Sequence, residues 1–467
     1  MRGDGASAID GALDPEIFRA YDIRGVVDET LTEHAAYLVG RAFAAESLAA
    51  GQGHVAVGGD GRASTAPLRG ALHQALNEGG VDVTDIGCVP TPLLYYATHV
   101  LGTATGIMIT GSHNPPEYNG LKMMIGGVTL AEKRIQQLRQ RIEGRAFTTG
   151  TGSLSSTALL DHYRDRITGD VTLDRPLRVA VDCGNGVAGL VAPELLAALG
   201  CEVVPLFTEV DGTFPNHHPD PAEAANLVDV IEAVRTANAD LGIAFDGDGD
   251  RLGVVTDQGE IVWPDRAMML FSRDLVSRNP GAKVVFDVKC SRHLPALVRD
   301  CGGEPIMWKT GHSHIKAKIR DSGALLGGEF SGHICFVERW FGFDDAIYSA
   351  ARLVEILAAD PRPASVVFAD FPATVSTPEI KVRTSEARKF AIIDELAAHA
   401  DFDGGDVNGI DGIRVDYPDG WGLLRPSNTS PNLSLRFEAD DRAVLDRIQG
   451  VFEAALTTID ANLSFLE

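Results

Sequence analysis

Three aspartates, Asp246, Asp248 and Asp250, alternate with glycine in the run Asp246-Gly247-Asp248-Gly249-Asp250-Arg251. Carboxylates at i, i+2 and i+4 can wrap a single hard cation, and three of them left unpaired would repel one another. An EF-hand loop would require Gly at its sixth position and Glu at its twelfth. Here those positions hold Arg251 and Asp257, and the flanks read as strands rather than helices. The pattern points to an oxygen-rich Mg²⁺ site with Arg251 beside it. Three protein oxygens leave coordination positions for phosphate or water, as Mg²⁺ prefers.

Ser112 lies on a turn, Thr110-Gly111-Ser112-His113-Asn114-Pro115, directly after the buried-type run Gly106-Ile107-Met108-Ile109. A turn serine is commonly structural. The loop matches no G-x-S-x-G elbow, which argues against acyl transfer. A serine that carries a phosphoryl group needs a divalent cation and cationic side chains nearby. Lys122 follows ten residues later, and the aspartate triplet offers the metal.

Two further loops carry polar clusters. Glu329, Ser331 and His333 alternate after two glycines; a carboxylate that accepts two hydroxyl hydrogen bonds, with a serine that donates or accepts, suits a polyol such as a sugar ring. Arg425, Ser427, Asn428 and Thr429 form a dense anion-binding set, a guanidinium fork joined by short hydroxyl donors. His312 and His314 have the H-x-H spacing of a transition-metal pair but no third ligand nearby. A phosphate or sugar contact suits His312, and a structural role suits His314.

The elements that must position these loops form a repeating unit. Val55, Val179 and Val284 each sit in a short β-type run that leads through a polar loop into a helix and then a second apolar run. The starts are 124 and 105 residues apart, too far for a solenoid repeat and right for three similar α/β domains in series. Strand–helix–strand units imply mixed, mostly parallel sheets covered by helices. Each unit contains one of the first three polar loops at a strand end, where open α/β sheets place ligands. The last ~95 residues alternate differently and read as a smaller α+β domain. The expected domains are 1–157, 158–260, 261–371 and 372–467, arranged around one central cleft.

Composition narrows the function classes. With 41 basic against 65 acidic side chains the net charge is −24, which disfavours nucleic-acid and anionic-membrane partners. No run of 18 apolar residues occurs, and the first ten residues lack an apolar signal core and read as a short tail. The six cysteines show no C-x-x-C spacing and are expected as reduced thiols in a cytoplasmic protein. Monomer is the default expectation.

Taken together, the loops resemble those of the α-D-phosphohexomutase superfamily. T-G-S-H-N-P at 110–115 is similar to its phosphoserine loop and D-G-D-G-D-R at 246–251 to its metal loop. G-E-F-S-G-H at 328–333 resembles its sugar loop, R-P-S-N-T-S at 425–430 its phosphate loop, and Phe18 to Gly25 its opening segment. The run from Glu338 to Asp345 is similar to the bacterial bifunctional phosphomannomutase/phosphoglucomutase group.

The resemblance implies a phosphotransferase that interconverts hexose 1-phosphate and hexose 6-phosphate, of mannose and glucose, through phosphorylated Ser112 and a 1,6-bisphosphorylated sugar. It implies Mg²⁺ held by Asp246, Asp248, Asp250 and a phosphoserine oxygen at Ser112. Arg24, Lys122 and Arg251 would be the cationic neighbours, and Lys122 or His333 would move protons. Glu329 and Ser331 would hold the sugar's O3 and O4, and Arg425, Ser427, Asn428 and Thr429 the distal phosphate. Tyr21, Asn114, Lys289 and His312 complete the expected substrate-binding set.

Overall fold

The computed structural model describes residues 13–427 and 431–466. Its strands fall into four sheets that follow the chain. The first holds β1 (Ile23–Val26), β2 (His54–Gly59), β3 (Asp82–Cys88), β4 (Gly106–Ile109), β5 (Tyr118–Ile125), β6 (Val128–Thr129) and β7 (Leu154–Ser156), in the order β1-β5-β4-β2-β3-β7 with β6 on β5. The second holds β8 (Arg178–Asp182), β9 (Glu202–Leu206), β10 (Leu241–Phe245), β11 (Leu252–Thr256) and β12 (Ile261–Val262), ordered β12-β11-β10-β8-β9. The third is β14-β13-β15-β16, made of β13 (Lys283–Asp287), β14 (Glu304–Trp308), β15 (Leu326–Gly328) and β16 (Ile334–Phe336).

These three sheets share one plan. The pairs β2–β3, β8–β9 and β13–β14 run parallel, joined by a helix, as the strand–helix–strand reading requires. A third parallel strand (β4, β10 or β15) lies on the other side of the first, and an antiparallel strand (β5, β11 or β16) follows it. Each of the three polar loops is the connection at that reversal. The chain order of the sheet turns back there, so the loop projects past the strand ends instead of being covered by a helix. The fold is therefore three similar mixed α/β lobes.

The fourth lobe is antiparallel: β17 (Val375–Ser376), β18 (Ile380–Arg383), β19 (Asp406–Asn408), β20 (Ile413–Tyr417), β21 (Gly420–Pro426) and β22 (Asn432–Ala439), with the helices Glu386–His399 and Arg442–Ile459. Every strand pair in it is antiparallel, in keeping with the α+β expectation.

In the third unit the structure moves one boundary. The sequence places the strand at 324–326 and opens the loop at Gly327, whereas β15 runs through Gly328. A Cβ on Gly327 would come within 2.5 Å of Ile319, and one on Gly328 within 2.5 Å of the Met268 sulfur. These glycines admit close helix packing on a strand rather than a turn.

One apolar core runs continuously from a face of the first sheet through the second and third lobes, from Leu93 and Tyr96 to Phe245, Phe286 and Phe336. Each such fully buried side chain contributes about 1.5–3 kcal/mol. The fourth lobe has a core of its own, around Val415, Leu435, Phe437 and Phe452. It meets the third through the small cluster Val288, Trp421 and Leu423 and through two buried arginines. Arg414 donates to the carbonyls of Val288 at 2.6 Å and Cys290 at 2.9 Å and lies over the Trp421 ring. Arg436 donates to the carbonyl of Lys289 and lies 3.5 Å from the Phe330 ring centre. At the connection between these lobes, Arg266 donates to the carbonyls of Phe368 and Pro372, both at 2.7 Å.

Candidate functional site

Asp246, Asp248 and Asp250 follow the buried strand β10, and all three are fully buried. The loop closes on itself: Asp246 Oδ1 accepts from the backbone amides of Asp250 at 3.0 Å and Arg251 at 3.1 Å. Asp248 is pinned to the first lobe, its carbonyl taking the Thr91 amide and its Oδ2 the Thr91 hydroxyl. Burial, reinforced by the two neighbouring carboxylates, pushes the Asp246 carboxyl well above the ordinary range. Against the effect of burial, the Lys122 ammonium holds Asp248 below its ordinary value.

The ligand atoms of the three aspartates lie within 4.8 Å of one another, and Asp248 Oδ1 and Asp250 Oδ1 are buried without a hydrogen-bond partner. Oxygen donors with two free acceptors fit a hard divalent cation.

Ser112 is held on the loop between β4 and β5. Its φ is +49°, a left-handed conformation that a non-glycine residue keeps only where its surroundings impose it. Here the surroundings are Arg62, whose guanidinium donates to the carbonyls of Ser112 at 2.8 Å, Asn114 at 2.6 Å, Pro115 at 2.6 Å and Tyr118 at 2.9 Å. Asp60 in turn holds Arg62 at 3.2 Å and accepts from the Gly111 amide at 3.1 Å. A Cβ on Gly111 would fall 2.5 Å from the Arg62 guanidinium carbon, so only glycine lets the loop close over that arginine. The Asn114 amide group donates back to the Gly111 carbonyl, a loop staple. With the loop so fixed, Ser112 Oγ donates to Asp246 Oδ2 at 2.9 Å.

Lys122, on β5, reaches the same place. Its ammonium donates to Asp248 Oδ2 at 2.6 Å and Asp250 Oδ2 at 2.5 Å. Burial alone would lower its pKa; the two carboxylates raise it well above the ordinary lysine value. Arg251 Nε donates to His333 Nε2 at 3.2 Å, and the strands around them meet in an isolated antiparallel bridge. That donation leaves the proton of a neutral His333 ring on Nδ1, which lies 3.3 Å from Asp344 Oδ2 and 3.5 Å from Asp250 Oδ1.

Asp344 also lies 3.2 Å from His312 Nδ1 and takes the Lys316 ammonium at 2.6 Å. Burial, then the Lys316 charge, lowers the His312 pKa to about 4, so its imidazole is neutral near pH 7. The His312 and His333 rings stack.

Glu329 is buried; its Oε1 takes the Gly311 amide at 2.6 Å and its Oε2 has no hydrogen-bond partner. Burial pushes its carboxyl up. Tyr21 donates to the Thr310 carbonyl at 2.9 Å. Lys289 donates to Glu379 of the fourth lobe at 3.3 Å, and Ser434 donates to the other oxygen of Glu379 at 2.7 Å. The Lys289 charge, the largest influence on it, brings Glu379 down to about 2. Arg425 Nε donates to Asp411 Oδ2 at 3.0 Å, and that same oxygen takes the Thr310 amide at 2.9 Å. Arg24 is paired with Asp22 at 2.5 Å.

These groups line one cavity of about 940 Å³. Arg24, Tyr21, Ser112, Asn114 and Lys122 come from the first lobe, and Arg251 from the second. Lys289, His312, Glu329, Ser331 and His333 come from the third, and Arg425 and Ser427 from the fourth. The triplet stands behind the wall, bonded to Ser112 and Lys122. Asn428 and Thr429 lie outside the described residues. Seven lysines and arginines face five aspartates and glutamates in the described lining, a local cationic excess in an acidic chain.

Sequence reasoning missed the residues that hold others in place: Arg62 and Asp60 under the serine loop, Asp344 between two histidines, and Asp411 and Glu379 on the fourth-lobe side. Apart from the Asp60–Arg62 pair itself, their partners are distant in sequence. Only the Gly59-Asp60-Gly61-Arg62 loop, equivalent in its unit to the other strand-end loops, offered a signal.

Comparison with known proteins agrees with this architecture. Four family models match in order: phosphoglucomutase/phosphomannomutase alpha/beta/alpha domain I over 15–149, domain II over 160–259, domain III over 263–375, and the C-terminal domain over 379–455. The chain is 56% identical over 451 residues to a phosphomannomutase/phosphoglucomutase of Pseudomonas aeruginosa, covering 97% of each. It is 50% identical over 445 residues to a phosphoglucomutase of Neisseria meningitidis, covering 94% of this chain and 96% of that protein. A crystal structure of a phosphoglucomutase/phosphomannomutase family protein from Burkholderia thailandensis superposes with a TM-score of 0.91 at 51% identity, over 96% of this chain and 98% of the other. With the lobes, their order and their loops all accounted for, this chain belongs to the phosphoglucomutase/phosphomannomutase family.

Proposed function

We propose that the protein is a phosphohexomutase that interconverts the 1-phosphates and 6-phosphates of glucose and mannose through phosphorylated Ser112. The observation that carries this reading is the placement of the Ser112 hydroxyl 2.9 Å from a buried aspartate triplet, at a cleft into which all four lobes project cationic side chains.

In the forward direction phosphoserine 112 transfers its phosphoryl group to the free O6 of a hexose 1-phosphate. The O6–P bond forms as the Ser112 Oγ–P bond breaks, and the O6 proton leaves to a base. We assign the exchange of that proton to Lys122 or His333, which both line the cleft. Arg24, Lys122 and Arg251 balance charge on the transferring group. The resulting 1,6-bisphosphorylated sugar turns within the cleft; its O1–P bond breaks as the Ser112 Oγ–P bond re-forms, and O1 takes up the proton released from O6. Asp246, Asp248, Asp250 and Ser112 would hold Mg²⁺, which supplies electrostatic stabilisation of the phosphoryl oxygens.

Glu329 and Ser331 hold O3 and O4. Because glucose and mannose differ only at C2, a site that reads those two hydroxyls admits both. Arg425 and Ser427, joined by Asn428 and Thr429, hold the phosphate that is not reacting, with Tyr21, Asn114, Lys289 and His312 around the sugar. Hexose 1,6-bisphosphate serves as activator, rephosphorylating a bare Ser112. We read the protein as cytoplasmic, in keeping with six cysteines that are free thiols, and keep the monomer as the default state.

The test is product analysis. Glucose 1-phosphate and mannose 1-phosphate should each give the corresponding 6-phosphate with little inorganic phosphate. Phosphate release as the main outcome would make the protein a phosphosugar phosphatase instead.

A further inference from the structure

The helix His312–Ser322 divides two cavities. Its first residue lines the catalytic cleft, while Ser313, His314, Lys316 and Arg320 line a second cavity of about 540 Å³ between the first and third lobes. Tyr95, Met124, Phe341 and Phe343 make much of the second cavity's surface apolar and aromatic. Two guanidiniums stand in its lining, the half-buried Arg134 from the first lobe and the exposed Arg320 from the third, while the lining carboxylate Glu132 lies 3.3 Å from His314. Neither guanidinium has a hydrogen bond or salt bridge among the described residues, in a chain whose other arginines are largely paired with its many carboxylates. Behind the cavity's surface, the buried hydroxyls of Tyr95 and Ser313 are also without a partner. Buried polar groups are almost always satisfied, and aromatic walls with a few unsatisfied polar groups are the usual make-up of a small-molecule site.

We propose that this cavity is a second ligand site, which takes an anion carrying a flat aromatic body, as a nucleotide does. The ring packs against Phe341, Phe343 and Met124, and the anionic group is held by Arg134 and Arg320. An aromatic body suits these walls better than another phosphosugar, whose hydroxyls would meet few partners there.

The second cavity shares a wall with the first. Lys316 lines it, and its ammonium donates to Asp344 Oδ1, while the other oxygen of Asp344 lies close to His333 and His312. His314 also lines it, and its ring stands edge-on to Tyr21 of the catalytic cleft at 5.5 Å. An anion beside Lys316 competes with Asp344 for the ammonium, and so loosens the carboxylate that positions the histidines. Occupancy of this site lowers turnover without competing with the phosphosugar.

The test is calorimetric titration of the full chain with adenosine monophosphate, guanosine monophosphate and 1-naphthyl phosphate, with glucose 6-phosphate held at saturation to fill the catalytic cleft. At least one of the three should bind with one-to-one stoichiometry. Arg134→Gln and Arg320→Gln should each weaken that binding about tenfold or more, with turnover in the absence of the probe near wild type. Ala317→Trp, which fills the cavity, should abolish it. Binding by the nucleotides alone identifies the ligand class as nucleotide; binding by 1-naphthyl phosphate as well identifies it as aromatic phosphates in general. No binding by any of the three overturns the proposal. So does binding that saturating glucose 6-phosphate removes, or that the arginine variants leave unchanged. Turnover is assayed separately, so none of these results bears on the mutase reading.

Discussion

Ser112 Oγ and Asp246 Oδ2 are joined by a 2.9 Å hydrogen bond that spans 134 residues and two lobes. The serine is held by the left-handed turn locked over Arg62, and the aspartate by the amides of Asp250 and Arg251. Neither can shift without breaking its own loop, so hydroxyl and carboxylate are positioned before any substrate arrives.

Replacing Ser112 with Ala should lower turnover at least about a thousandfold while leaving phosphosugar affinity within a few-fold of wild type. Intact-mass measurement should find one phosphate adduct on the purified wild type and none on the variant. A wild type that carries no phosphate, yet turns over without added bisphosphate, would refute the phosphoserine route.

Lys122 neutralises two buried carboxylates, so Lys122→Met should cost about 3–5 kcal/mol of stability in addition to activity. Adding Mg²⁺ should restore part of that loss, because the cation takes over the missing positive charge. Denaturation with and without Mg²⁺ reads this directly: the metal should stabilise the variant more than the wild type.

The two ends of the substrate should separate by mutation. Glu329→Ala should weaken glucose 1-phosphate and mannose 1-phosphate about tenfold or more and leave inorganic phosphate binding unchanged. Arg425→Ala should weaken all three. If titrations show both variants losing the same ligands equally, the division between sugar wall and phosphate wall is wrong.

His312 gives the fold a defined acid sensitivity. Its folded pKa of about 4 lies below the ordinary 6.5, so the unfolded chain binds the proton more readily. Its stabilising contribution is complete above pH 6.5 and is lost as pH falls through 4. The difference between those values corresponds to roughly 3 kcal/mol. Urea unfolding at pH 7 and near pH 4 should show a smaller acid-induced loss for His312→Asn than for wild type.

Most of the fold was legible because it depends on local signals. The runs at Val55, Val179 and Val284 each precede a polar loop and a helix, and such alternation admits few arrangements other than parallel pairs. The loops at 110–115 and 246–251 were legible because their chemistry is concentrated in adjacent residues. Asp344 and Asp411 were not: each is a single carboxylate whose meaning comes from partners that only folding brings near. Asp344 gathers His312, His333 and Lys316, and Asp411 gathers Thr310 and Arg425. Arg62 was hidden for the same reason, since its acceptors are backbone carbonyls, which no side-chain pattern marks.

Arg414 and Arg436, sunk by the fourth lobe into the third, constrain how the molecule opens and shuts. Together they occupy the carbonyls of three successive residues, Val288, Lys289 and Cys290. Lifting the lobe straight off would break all three of these bonds at once, together with the Arg436–Asp265 contact, and leave Arg414 only Asp416 of its own lobe. The lobe is geared to its neighbour rather than hung from a thread: a rotation about that stretch would carry Arg425 through an arc. Phe330, which lies against Arg436, would pass that rotation into the loop that carries Glu329 and Ser331.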